Sequence, residues 1–98
     1  MKLPKYMSMP EVAVLDGISP AAAYRRLYVG AYGPAAAMVD GHPRIRVAEW
    51  QALRGVKLNP GTLERARIEA KKRTYLRDQA SRAAFARKKA LTLASLAA

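Results

Sequence analysis

The sequence predicts a mostly α-helical fold with one small β-hairpin: a compact head over residues 1–58 and a basic, alanine-rich tail over residues 59–98. Three observations predict it. Two short helix signals, each with a capping serine and a proline in the first turn, flank the tight "DGI" turn. Asp40-Gly41, a strong hairpin-turn dipeptide, stands between two short strand patterns. Asn59-Pro60-Gly61 then interrupts every periodicity, and beyond it helix formers dominate, with Tyr75 and Phe85 the only aromatic residues.

The first helix is announced by "SMPEVAVLDG". Ser8 caps it, and Glu11, three residues on, reaches back as in a capping box. Pro10 fits the first turn, where its missing N–H would have no partner anyway. Val12 and Leu15 are expected to point inward. Asp16-Gly17 ends the helix, because glycine tolerates the left-handed cap, and Ile18 follows as a buried plug. Ser19 and Pro20 open a second helix that runs to about Val29, with Gly30 past its end. At about 100° per residue, Ala23 and Leu27 share the face toward the first helix. Ala21, Arg25 and Tyr28 lie opposite, and Tyr24 and Arg26 flank the boundary.

"AAAMVDGHPRIRV" reads as a hairpin. Met38-Val39 forms one short strand and Arg44–Val47 the other, with His42-Pro43 lengthening the loop. "VAEWQALRG" is a third short helix, with Trp50 and Leu53 facing the core and Gly55 beyond its end. The order helix, turn, helix, hairpin, helix is that of a very small winged helix-turn-helix.

The charge speaks to partners rather than fold. In 98 residues, 18 Lys and Arg oppose 7 Asp and Glu, a formal net charge of +11. The tail carries +7 of this and the head +4. Nucleic acid is the leading partner class, ahead of an anionic membrane surface, for which an alanine-rich helix with one Phe is a poor anchor. With no cysteine, disulfide and thiol chemistry are excluded. "MKLPKYMSMP" has no apolar segment behind its lysines, and no run of 18 apolar residues exists, so a cytoplasmic, nucleoid-associated location is expected. Catalytic constellations are missing: there is no paired-carboxylate motif, no phosphate-cradling glycine loop and no metal-ligand spacing. The sequence therefore predicts a binding protein without enzyme activity, cofactor or metal.

The candidate DNA-contacting residues follow from the faces. On the second helix they are Ser19, Ala21, Tyr24, Arg25, Arg26 and Tyr28. Small residues let a helix sit deep in a groove, and an arginine fork pairs with guanine or clamps a phosphate. The free N–H groups near Ser19 suit a phosphate. On the wing the candidates are His42, Arg44 and Arg46, the two arginines sharing one strand face. In the tail, Arg65, Lys71, Lys72 and Arg73 are candidates for phosphate contact. Each has a plainer alternative: paired arginines are ordinary solvated charges, hairpin arginines keep an edge soluble, and a lone His in a turn is a turn residue. Trp50 is expected in the core, and core or rim packing is the simpler role for Tyr6, Tyr28 and Tyr32.

"EVAVLDGISPAAAYRRLYVGAYG" followed by "DGHPRIRVAEWQAL" resembles the excisionase and MerR-like group of winged helix-turn-helix DNA binders, over about residues 7 to 55. The resemblance implies that the second helix enters the major groove and that the wing tracks the backbone or minor groove. It further implies a recombination directionality factor: several copies bind adjacent repeats in double-stranded DNA, touch one another, bend the duplex and help an integrase (a tyrosine recombinase) excise a mobile element. The long basic tail departs from the smallest members. Three readings of that tail stay open: packing on a neighbouring protomer through Leu63, Leu76, Phe85, Leu91 and Leu93, ordering on DNA, or a solubilising extension. Other roles for the whole chain are a transcriptional regulator with a dimerising tail, a phage DNA-packaging or assembly protein, and a non-specific RNA binder.

Overall fold

A computed structural model describes residues 2–97, with no side-chain description for Ala97. The chain is mostly helical with a small sheet. In order it forms β1 (Tyr6–Ser8), α1 (Met9–Asp16), α2 (Pro20–Tyr28), a 3-10 turn (Gly33–Ala35), β2 (Ala36–Val39), β3 (His42–Arg46), α3 (Val47–Arg54) and α4 (Pro60–Ala97). The three strands make one antiparallel sheet in the order β1-β3-β2. Among the described residues, no helix is long and apolar enough to cross a membrane.

The expected start of α1 is present in full. Ser8 Oγ accepts from the Glu11 N–H at 3.3 Å, and Glu11 Oε1 accepts from the Ser8 N–H at 3.3 Å and its hydroxyl at 2.8 Å. Gly17 closes α1 at φ 68°, and the N–H of Ile18 returns to the Ala13 carbonyl at 2.9 Å. Ser19 caps α2 by accepting from the Ala22 N–H at 3.2 Å. The hairpin turn has two residues, Asp40 at φ 51° and Gly41 at φ 78°. Positive φ at both central positions matches the right-handed twist of the strands, which is why Asp-Gly works there.

Four local expectations are corrected. The sequence carries no signal for β1; it forms because Tyr6, Met7 and Ser8 pair with Arg46, Ile45 and Arg44. His42 and Pro43 do not lengthen the loop but belong to β3, opposite Val39 and Met38. Pro43 is tolerated because β1 ends opposite Arg44, so β3 has only β2 beside it there. Leu53 is 47 % exposed, not in the core. The inward face of α3 runs Val47, Trp50, Gln51, Arg54: Val47 and Trp50 are buried, Gln51 Oε1 accepts from the Leu58 N–H, and Arg54 reaches Asp16. Ile18 packs on the core half-buried rather than as a sealed plug.

The core gathers Met7, Met9, Val12, Ala13, Ala23, Tyr32, Ala35, Ile45, Val47, Trp50 and Leu63. The inner face of α1 is Met9, Val12, Ala13 and Asp16, at the i, i+3, i+4, i+7 spacing of one helix face. The corresponding face of α3 ends in Arg54. The two charged ends meet: Arg54 Nε and Nη2 donate to Asp16 at 3.1 and 2.9 Å, and Tyr32 Oη donates to Asp16 at 2.9 Å.

The helix α4 starts where the sequence predicts, with Asn59 Oδ1 accepting from the Thr62 N–H at 2.8 Å. Residue 59 is not, however, the edge of the packed core. Leu63, Ala66 and Ala70 are buried, with α4 packed on α1, and the two alanines permit close approach. Leu63 is therefore occupied by its own chain and is not available to a neighbouring protomer. From Thr74 to Leu96 every residue is exposed. A helix of this length measures about 57 Å, which accounts for most of the 62 Å long axis of the molecule. The second half of α4 thus projects away from the head.

Candidate nucleic-acid interface

The outward face of α2 is small and basic. Ala21, Arg25 and Tyr28 are exposed at i, i+4 and i+7, while Ala23 is fully buried and Leu27 packs on the core. Placement follows from the cap: Ser19 and Pro20 fix where the helix starts, and the buried Ala23 fixes its rotation. Tyr28 is 79 % exposed, which corrects the expectation of core or rim packing. Its ring stacks on the half-buried Tyr24, centroids 6.4 Å apart with 28° between planes. Arg25 stands beside this pair with no hydrogen bond or ion pair among the described residues. Arg26 differs: it lies 3.9 Å from the Asp16 carboxylate, half-exposed. The two adjacent arginines are not equivalent, and Arg25 is the uncommitted one. Ser19 spends its hydroxyl on the Ala22 N–H, and Pro20 has no N–H, so few free donors remain at the helix start.

The hairpin separates its candidates too. His42 is exposed at the start of β3. Arg44 is half-buried and donates to the adjacent Pro43 carbonyl at 2.8 Å. Arg46 donates to the carbonyls of Pro34 at 2.7 Å and Ala36 at 3.2 Å. Arg46 therefore ties the 3-10 turn and the start of β2 to β3, a structural task that uses one of its nitrogens.

In the tail, Lys71 and Lys72 are exposed. Arg65 is also exposed and donates to Thr62 Oγ1 at 3.3 Å. Arg73 leans on the head: it donates to the Ile18 carbonyl at 3.0 Å and lies 3.9 Å from Glu69. A groove lined by Gly17, Ile18, Ser19 and Ala21 on one side and Arg73 and Arg77 on the other joins the start of α2 to α4.

From sequence Asp16 is only a helix breaker, whereas in the fold it is the partner of Tyr32 and Arg54. Asp16, 4 % exposed in its side chain, links α1, α3 and the segment after α2, with Arg26 nearby. Burial first, and the Asp16 hydrogen bond second, push the Tyr32 phenol up to about 12. The same carboxylate raises the Arg54 guanidinium further above its already high value. The i+7 position of Asp16 on the inner face of α1 was the signal that marks it. Among the described residues, no group of three His, Cys, Asp or Glu side chains is arranged to hold a metal. No protein-family description, no curated protein and no solved structure matches this chain.

Proposed function

We propose that this chain is a sequence-specific double-stranded DNA-binding protein with a winged helix-turn-helix head, acting as an architectural factor of the excisionase type. Helix α2 is the recognition helix and the β2–β3 hairpin is the wing. The observation that carries this reading is the outward face of α2: an uncommitted arginine fork, Arg25, beside the stacked Tyr24–Tyr28 pair and the small Ala21, in a chain of net charge +11. Arg25 offers the bidentate donor pair that matches guanine in the major groove. Arg26 holds a neighbouring phosphate or simply steadies α2 through Asp16. The order of elements from α1 to α3 supports the assignment, as does a sheet of order β1-β3-β2 with the hairpin at its edge. The excisionase role rests on the sequence resemblance. In that role several copies occupy adjacent repeats, and the cost of bending is offset by phosphate contacts and contacts between protomers. An integrase is the partner this role implies.

The test is selection of bound duplexes from a random-sequence DNA pool, followed by footprinting on the selected site and on tandem copies of it. An enriched motif, stepwise protection of adjacent copies and a bend measured by circular permutation are expected. A single palindromic footprint without bending replaces the excisionase role with that of a dimeric regulator. Failure to enrich any motif overturns sequence-specific recognition.

A further inference from the structure

Arg65, Lys71, Lys72 and Arg73 lie on the half of α4 that is docked to the head, and Arg73 is spent on the Ile18 carbonyl. The cations beyond them are differently placed. Arg77, Arg82, Arg87, Lys88 and Lys89 ride on the projecting half of α4, opposed by the single carboxylate of Asp78. All of these residues are exposed, and Arg77 lies 3.8 Å from Asp78. We infer that this projecting half is a second DNA-contacting arm, which lies on phosphates flanking the site read by α2. The inference rests on the DNA-binding reading of the head and extends it to a separate part of the chain.

Three observations select DNA phosphate as the occupant. The first is charge. At 100° per residue the five cations spread over about 220° of the helix circumference rather than along one stripe, and the remaining arc within this segment carries Gln79, Ala83 and Ala86. A polyanion is complementary to five cations opposed by one carboxylate, whereas the uncharged arc offers a second copy little more than alanine methyls to bury. The second is continuity. Arg73 and Arg77 line the groove whose other wall is the start of α2, so the arm leaves the head at the edge of the proposed recognition helix. The third is the face that α4 turns to the head. Leu63, Ala66 and Ala70 are buried on it, and its continuation is Arg77, Ser81, Ala84 and Lys88. Intramolecular packing therefore stops where the basic segment starts. The cations from Arg77 to Lys89 span about 18 Å of helix, roughly half of one duplex turn of 34–36 Å. The segment from Ala90 onward is uncharged, with Leu91, Leu93 and Leu96 exposed, so a contact between copies at that tip is the competing outcome.

The experiment uses the full chain carrying R82Q, R87Q, K88Q and K89Q together, since Gln preserves helix propensity. Affinity is measured against salt on a long duplex and on one trimmed to the footprint of the head. Wild type should show a steeper salt dependence on the long duplex. The variant should flatten its log–log slope there by about 2 to 3, near 0.9 per lost phosphate contact for the cations that share one side of the helix, and match wild type on the trimmed duplex. Restoring charge with R82K and R87K should recover part of the slope. Equal slopes for wild type and variant on the long duplex overturn the arm. So does a variant that loses an oligomer seen by sedimentation while keeping the wild-type slope, which assigns the segment to a second copy. If instead the variant flattens the slope but no sequence is preferred, the arm stands and the reading of α2 fails.

Discussion

Replacing Asp16 by Ala should cost this fold about 3 kcal/mol. The Asp16 side chain is 4 % exposed and accepts from Tyr32 Oη at 2.9 Å and from Arg54 Nε and Nη2 at 3.1 and 2.9 Å. A hydrogen bond to a charged group contributes roughly 1.5–3 kcal/mol net, and one left unmade in a buried site costs about as much. Arg54 is 35 % exposed in its side chain, so water recovers part of what the guanidinium loses, and its two bonds belong at the low end of that range. The Tyr32 hydroxyl, on a residue 1 % exposed, has no such recourse. The three bonds share one carboxylate and do not add in full, which leaves about 3 kcal/mol, at the lower edge of what breaking a buried ion pair costs. In a domain of this size that corresponds to a fall of roughly 12–24 °C in Tm. Thermal unfolding followed by circular dichroism measures it, and a double-mutant cycle with Arg54→Ala isolates the coupling. A fall below about 4 °C, or a coupling under about 0.5 kcal/mol, refutes the claim that this carboxylate holds α1, α3 and Tyr32 together.

Three further outcomes are expected. The Tyr32 phenol, pushed up to about 12 from an ordinary value of 10.0, favours the fold while protonated. That stability is fully present below pH 10 and is lost as pH rises toward 12, so denaturant midpoints of wild type should fall across this window while those of Tyr32→Phe fall less. Leu63→Ala should cost about 2–5 kcal/mol because it opens a cavity under α4, whereas Leu76→Ala, at 53 % exposure, should stay within about 0.5 kcal/mol; equal costs in urea unfolding would mean that the packed core extends along the whole helix. Gly41→Ala should destabilise the hairpin by roughly 1–2 kcal/mol, since Gly41 holds φ 78° with open space around it and only the backbone angle opposes a side chain; an unchanged midpoint would show that the turn relaxes freely.

Much of the head was legible because its signals are local. Ser8 with Glu11, Gly17, Ser19 with Pro20, and Asp40-Gly41 each fix a backbone conformation within three or four residues, and each appears where those residues demand it. What was missed depends on distant partners. Three residues, Tyr6 to Ser8, carry no strand pattern of their own and extend only because β3 offers them a ladder. His42-Pro43 looks like loop until the end of β1 leaves room for a proline in β3. Leu53 shares a helical period with Trp50, but α3 is short and its inner face is completed by Gln51 and Arg54, whose polar ends find partners across the fold. The arginines show the same limit. The helical period places Arg25 outward and Arg26 at the boundary, but only the packing of Asp16 shows that Arg26 has a partner. Likewise, nothing local in α4 says that burial ends after Ala70, because the helix formers continue unchanged.

Whether α2 reads DNA through Arg25 is tested most directly by the affinity of Arg25→Ala for the selected duplex and for a panel of its single-base variants. A base-reading Arg25 gives a loss of about 1–3 kcal/mol on the selected site and relaxed discrimination at one base pair, with the other positions still distinguished. An equal loss on every sequence would place Arg25 on a phosphate, and no loss at all would remove the outward face of α2 from the interface.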